Sequence, residues 1–332
     1  MLSTSDTNQA SVPLLEVRDL TVEFDTGDGM IRAADGVSFR LKAGEVLGLV
    51  GESGCGKSVT AMSIPRLIPQ PPGRICTGEI LFAGEDLLQL PISRMRQIRG
   101  REIGVIFQEP MTALSPLQRI ERQLAEVFHL HTELNAVEIH AQCLDWLEKV
   151  GISDPERSLR CYPFELSGGM RQRVMIAMAL LLQPKLVIAD EPTTALDVTI
   201  QAQILELLQD MRREDTGLLL ITHDMGVIWE MCDQVAVMYA SHIVETAPVK
   251  ELFEHPLHPY TQGLLASIPS LHHGNGPLPH IPGQVPSLLH PPKGCPFADR
   301  CPKVIDQCRR IMPSLRSVNA ETHQAACWRA GE

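Results

Sequence analysis

The sequence predicts an α/β fold with a helical subdomain and a C-terminal cysteine-containing extension, and three observations carry that prediction. Short apolar runs give way to glycine-rich turns and then to helical stretches as far as Tyr239, the cadence of a sheet covered by helices. The apolar run 46–50 feeds directly into Gly51-Glu-Ser-Gly-Cys-Gly-Lys-Ser58, which fits G-x-x-x-x-G-K-[ST] at every defined position. From Glu254 onward prolines thicken, among them Pro256, Pro259, Pro282, Pro286, Pro291 and Pro292, so a packed parallel sheet cannot continue and a separate tail is expected.

The chain divides accordingly. Residues 1–13 are polar and rich in Ser and Thr and are expected to be disordered, with neither the basic start nor the apolar core of a secretory signal. Residues 14–253 form the nucleotide-binding domain. Within them, residues 110–166 read as a helical subdomain, because 121–127 and 136–150 carry apolar residues at helical spacing between charged ones. Residues 254–332 are the extension. A length of 332 residues agrees with about two structural units. Lys and Arg total 29 against 40 Asp and Glu, a net charge of -11 that disfavours nucleic acid as a partner. The longest strongly apolar stretch, 174–182, is about half of the roughly 20 residues needed to cross a bilayer. A cytosolic location with reduced thiols is the expectation.

The motif at 51–58 implies a nucleoside triphosphate. Gly51, Ser53, Gly54, Cys55 and Gly56 let consecutive backbone N–H groups turn toward a phosphate, Lys57 adds a point charge, and the Ser58 hydroxyl can ligate Mg²⁺. Pro65 should cut or kink the following helix. The apolar run 186–189 ends in Asp190-Glu191. Two adjacent acids at a strand end point different ways, so Asp190 is expected in the Mg²⁺ shell and Glu191 on the attacking water. A second apolar run, 218–221, ends in Thr222 and His223, placing that imidazole where open α/β sheets bind ligands. Leu166-Ser-Gly-Gly-Met170 precedes a long apolar helix with Ser167 as its N-cap, a second anion-ready helix terminus. One chain with two phosphate-binding devices suggests a dimer with shared sites.

The order Gly51 to Ser58, Gln108, Leu166 to Met170, Leu186 to Glu191, Ala195-Leu196-Asp197 and His223 resembles an ABC transporter ATPase subunit. The resemblance implies a P-loop NTPase fold of the ABC ATPase type and a head-to-tail dimer. In that dimer Ser167, Gly168 and Gly169 would contact the partner's ATP, and Asp197 would lie in the interface loop. Gln108 would sense Mg²⁺, and His223 would act as the γ-phosphate switch. Phe24, at the end of the first strand, reads either as an adenine-stacking ring or as a core aromatic.

Longer wording, including Ile106-Phe-Gln-Glu-Pro-Met-Thr-Ala-Leu-Ser-Pro116 and Ala189-Asp-Glu-Pro-Thr-Thr-Ala-Leu-Asp197, is similar to the ATP-binding subunits of bacterial dipeptide and oligopeptide importers. That group implies ATP and Mg²⁺, a second and non-identical ATPase subunit, two transmembrane permeases, and a periplasmic peptide-binding protein acting indirectly. It implies a place on the cytoplasmic face of the bacterial inner membrane. Ser115 and Ser241-His242 depart from the group's usual wording, which leaves fine cargo assignment open between peptides and a solute such as nickel. A soluble ABC ATPase is the reading from another class, and the single acidic cassette weighs against it.

Cys295, Cys301, Cys308 and Cys327 crowd a segment too small for its own core, which suggests a metal centre. Thiolates suit zinc or an iron–sulfur cluster. The resemblance favours a 4Fe–4S cluster, with Zn²⁺, or plain reduced thiols or disulfides, as alternatives. His272, His273 and His280, set among Gly, Asn and Pro, read as a solvated linker.

Overall fold

The structure, a computed structural model, describes residues 13–193, 198–210, 215–268, 280–320 and 322–331. Residues 1–12, Asp197, His272 and His273 lie outside the described residues, and with them the expectations made for that N-terminus, interface loop and linker. Among the described residues twelve strands run in chain order: β1 Leu15–Asp25, β2 Met30–Leu41, β3 Val46–Val50, β4 Gly73–Phe82, β5 Glu85–Asp86 and β6 Ile103–Ile106 come first. β7 Leu186–Asp190, β8 Gly217–Ile221, β9 Gln234–Tyr239, β10 His242–Pro248, β11 Arg316–Ala320 and β12 His323–Ala325 follow.

Two sheets result. A small antiparallel one has the order β2-β1-β4-β5, and a large mixed one the order β11-β12-β10-β9-β3-β8-β7-β6. The strands β9, β3, β8, β7 and β6 are parallel, with β3 between β8 and β9. Successive side chains of a strand leave on opposite faces. Accordingly Val46 and Val50 enter one apolar core, while Leu47 and Leu49 enter the other. Both faces are covered, which is why these strands read as continuous apolar runs and not as alternating ones.

Two helices form where the apolar spacing places them. Helix Ile120–His131 buries Ile120, Leu124 and Phe128, one turn apart, and helix Ala136–Lys149 buries Ile139, Cys143, Trp146 and Leu147. Each fully buried Ile, Leu or Phe contributes about 1.5–3 kcal/mol over its exposed state. Asn135 caps the second helix: its side chain accepts the N–H groups of Val137 and Glu138, and Glu138 reaches back to the Asn135 N–H. Pro65 acts as its geometry requires, since the helix that begins at Lys57 ends at Ser63.

The segment after Glu254 packs less independently than its composition suggests. β12 pairs antiparallel with β10, and Tyr260, Leu265, Phe297 and Ala298 are buried in the same core as β3. Prolines bar this segment from a parallel sheet, yet two short antiparallel strands near the C-terminus still extend its edge. The junction closes on a buried carboxylate. Glu245 on β10 accepts the N–H groups of Leu257 at 2.7 Å and His258 at 2.9 Å, and lies 2.9 Å from His323 Nε2.

His258 is fully buried, and its Nδ1 accepts the Tyr260 N–H at 3.1 Å. Burial outweighs the attraction of Glu245 and lowers its pKa from 6.5 to about 4. The unfolded chain therefore binds this proton more tightly, so this contribution to stability is complete above about pH 6.5, declines as pH falls from there to about 4, and is lost below. Between pH 7 and 4.5 the native chain is expected to lose about 2–3 kcal/mol more than His258→Asn in urea unfolding. Equal losses in the two proteins would contradict the assignment.

Candidate nucleotide site

The loop 51–56 leaves the carboxyl end of β3 and is pressed against its neighbours on two sides. A Cβ on Gly51 (φ 151°) would sit 2.1 Å from the Met238 carbonyl oxygen. One on Gly56 (φ 103°) would sit 1.9 Å from the Ala33 carbonyl oxygen. Only glycine fits either place. The loop is tied to the β9–β10 turn, where the Ser241 N–H donates to the Cys55 carbonyl at 3.0 Å. Cys55 is buried, and burial raises its thiol pKa. Ser53 and Gly54 are exposed, and a Cβ on Gly54 would meet nothing within 4 Å, so the outer half of the loop is free to receive a ligand. Lys57 is buried and its ammonium donates to the carbonyls of Gly51 at 2.9 Å and Glu52 at 3.2 Å.

The two acids at the end of β7 separate as the pleat requires. Asp190 is 4% exposed and accepts the Ser58 hydroxyl at 3.1 Å. Burial is the main cause that raises its carboxyl pKa, with Glu191 adding to it and Ser58 opposing. A buried carboxylate held by a single hydroxyl, with its affinity for a positive charge increased by desolvation, fits a divalent cation beside Ser58. Glu191 turns away in a left-handed conformation (φ 46°). Its carboxylate accepts Gln108 Nε2 at 3.0 Å and lies 3.5 Å from His223 Nδ1. Gln108 follows β6 and His223 follows β8, so three neighbouring parallel strands deliver these side chains to one place. Glu191 is 16% exposed and His223 66%, so the carboxylate is sheltered while the imidazole reaches outward.

Other sequence candidates lie elsewhere. Ser167 caps helix Gly168–Leu180 by accepting the Met170 N–H at 3.2 Å. Ser167 and Gly168 are exposed, and a Cβ on Gly168 would meet nothing within 4 Å. Gly169 is half-buried. Phe24 is partly buried at the end of β1, and its ring packs so closely on Gly73 of β4 that a Cβ there would lie 2.8 Å from it. Sequence reasoning missed Gln172, buried one turn into the Ser167 helix, whose amide donates to the Pro192 carbonyl just after Glu191. No spacing rule ties a polar residue in an apolar helix to a turn twenty positions on.

Cys295, Cys301, Cys308 and Cys327 line one small cavity together with His258, Phe297 and Trp328. Its volume is about 10 Å³, room for a single water. Burial raises the thiols of Cys301 and Cys327 and pushes Cys295 up to about 12. Among the described residues no group of three or more His, Cys, Asp or Glu has the arrangement of a metal site. The four thiols of the expected metal centre nonetheless converge on this one cavity.

Residues 34–194 match the family model described as ABC transporter, and residues 244–308 match the one described as oligopeptide/dipeptide transporter, C-terminal region. Among solved structures, a dimeric ATP-binding cassette in a post-hydrolysis state with ADP and Pi aligns at a TM-score of 0.64 and 26% identity. It covers 71% of this chain and 98% of its own. Fold and site thus define an ATP-binding cassette of the ABC transporter class. A probable peptide ABC transporter ATP-binding protein of Sinorhizobium fredii is 53% identical, covering 96% of each chain. The oligopeptide transport ATP-binding protein OppD of Bacillus subtilis is 50% identical over 95% of this chain and 88% of its own. The chain belongs to the family of peptide ABC transporter ATP-binding proteins. Among the described residues no helix is long and apolar enough to cross a membrane.

Gly56→Ala forces a methyl group into the Ala33 carbonyl at a left-handed position. It is expected to destabilise the chain by about 2–4 kcal/mol, read as the shift of the urea midpoint, and a midpoint within error of native would show that the loop can relax.

Proposed function

We propose that this chain is the ATP-hydrolysing subunit of an ABC importer of di- or oligopeptides, acting at the cytoplasmic face of the bacterial inner membrane. The observation that carries the reading is the convergence of Ser58, Asp190, Glu191, Gln108 and His223 at the carboxyl ends of β3, β7, β6 and β8, beside an open phosphate loop. The peptide cargo is supported by the relatives, whose likeness runs from the cassette through the C-terminal segment.

The roles follow from the geometry. Loop N–H groups and Lys57 take the phosphates, which requires the Lys57 ammonium to leave the Gly51 and Glu52 carbonyls. Ser58, Asp190 and Gln108 surround the place for Mg²⁺, which when bound neutralises charge on the β- and γ-phosphate oxygens. Glu191, sheltered between Gln108 and His223, polarises the attacking water. Gln108 orients that carboxylate from one side and His223 reaches the γ-phosphate from the other. The exposed Ser167 and Gly168, with half-buried Gly169, serve the ATP of a second, non-identical ATPase subunit in a head-to-tail dimer. Phe24 stacks on the adenine. The exposed Met111, Leu117 and Phe164 of the helical subdomain dock two membrane permeases, to which a periplasmic binding protein delivers peptide. The four converging cysteines would supply the thiolates for a 4Fe–4S cluster or for zinc. Iron and sulfide in near-stoichiometric amounts after anaerobic purification support the cluster. Zinc alone supports the alternative, and neither metal leaves reduced thiols.

Glu191→Gln keeps the shape and removes the charge. It is expected to lower ATP turnover by at least about 100-fold while ATP binding persists. Cells carrying this variant should lose uptake of labelled peptides and keep uptake of nickel. Retained peptide uptake with lost nickel uptake would move the cargo to the metal, and normal turnover would remove Glu191 from its role.

A further inference from the structure

Glu52 occupies a position that the phosphate-binding motif leaves open, yet in the fold it is one of the most tightly held residues of the loop. Arg300, at the end of the short 3-10 helix Ala298–Arg300 in the C-terminal segment, grips its carboxylate with both arms. Nη1 donates to Oε2 at 2.7 Å and Nη2 to Oε1 at 3.0 Å. The guanidinium is also held from behind. Nε donates to the Pro282 carbonyl at 2.9 Å, Nη2 to the Ile281 carbonyl at 3.3 Å, and Nη1 to the Tyr239 hydroxyl at 3.2 Å. Its carbon lies 5.7 Å from the Tyr239 ring centre and 5.9 Å from that of Phe297. Only 6% of the Arg300 side chain is exposed. The Glu52 N–H meanwhile donates to the hydroxyl of buried Tyr260 at 2.9 Å, so backbone and side chain of one loop residue both end on the C-terminal segment.

This arrangement has an electrostatic consequence. Glu52 brings a negative charge into the loop that takes a triphosphate, one residue after Gly51, and its own carbonyl is a partner of Lys57. An unpaired carboxylate there repels the ligand. A bidentate, buried guanidinium cancels that charge and fixes the loop's first turn.

We propose that Arg300 is a positioning residue for nucleotide binding: by clamping and neutralising Glu52 it holds the phosphate loop ready for a nucleoside triphosphate. The C-terminal segment thereby becomes part of the ATP site. The 3-10 turn that carries Arg300 lies between Cys295 and Cys301, so latch and cysteine cavity share one stretch of backbone. The proposal rests on ATP being the ligand, and Lys57→Ala tests that separately. If Lys57→Ala leaves ATP affinity unchanged, the site reading fails and not the latch.

The experiment is equilibrium binding of radiolabelled ATP to the full chain, with steady-state KM and kcat measured in the assembled transporter. Arg300→Met is expected to weaken ATP binding and raise KM by about tenfold while kcat changes less than about twofold. Adding Glu52→Gln to Arg300→Met removes the stranded carboxylate as well, and affinity should return to within about threefold of native. Arg300→Lys keeps the charge and loses the fork, giving an intermediate affinity, and it keeps the test readable if Arg300→Met fails to fold. A purely structural role predicts a lower melting temperature with unchanged affinity in the folded protein and no rescue by Glu52→Gln. ATP affinity within about twofold of native in both Arg300 variants would overturn the proposal.

Discussion

Everything at the nucleotide site depends on how closely the loop after β3 is pressed into its surroundings. Two glycine positions lie almost in contact with the carbonyl oxygens of Met238 and Ala33. Those oxygens belong to β9 of the large sheet and β2 of the small one, so both sheets clamp the same six residues. The outer half of the loop stays open because nothing stands near Gly54. A mould that is rigid on the inner side and vacant on the outer one presents backbone N–H groups without further ordering at the moment of binding, and pre-organisation of this kind is what lowers the cost of holding a flexible phosphate chain.

Charge is distributed around that mould with little redundancy. Asp190 is buried against a single hydroxyl, and Glu191 is sheltered between an amide and an imidazole. Lys57 is folded onto carbonyls of its own loop. Glu52, whose carboxylate has no place beside a triphosphate, is held by an arginine from far along the chain. On the proposed reading each of these groups would gain from the arrival of a magnesium–nucleotide complex or is kept out of its way. The parallel strands make this possible, because β3, β6, β7 and β8 end on the same side and each delivers a polar residue there.

Much of this was legible in the sequence because its signals are local. The apolar strands, the phosphate motif, the Ser167 cap and the helical spacing of 120–149 each depend on residues within a turn or two of one another. The split between Asp190 and Glu191 followed from the pleat alone. What the sequence concealed depends on contacts across long stretches of chain. Nothing in composition links Glu52 to Arg300, Gln172 to Pro192, or Glu245 to His323, and the proline-rich segment after Glu254 therefore looked detached when it shares the core of the sheet. The four C-terminal cysteines, which the sequence suggested as a metal centre, come together from well-separated positions around one small cavity.

ATP hydrolysis by the chain, reconstituted with its permeases and binding protein in lipid vesicles and measured with and without di- or oligopeptide, tests the central claim most directly. A rate that rises when peptide is supplied, and that Glu191→Gln abolishes, is the predicted result. A rate indifferent to peptide, or one that survives the loss of the Glu191 carboxylate, would contradict it.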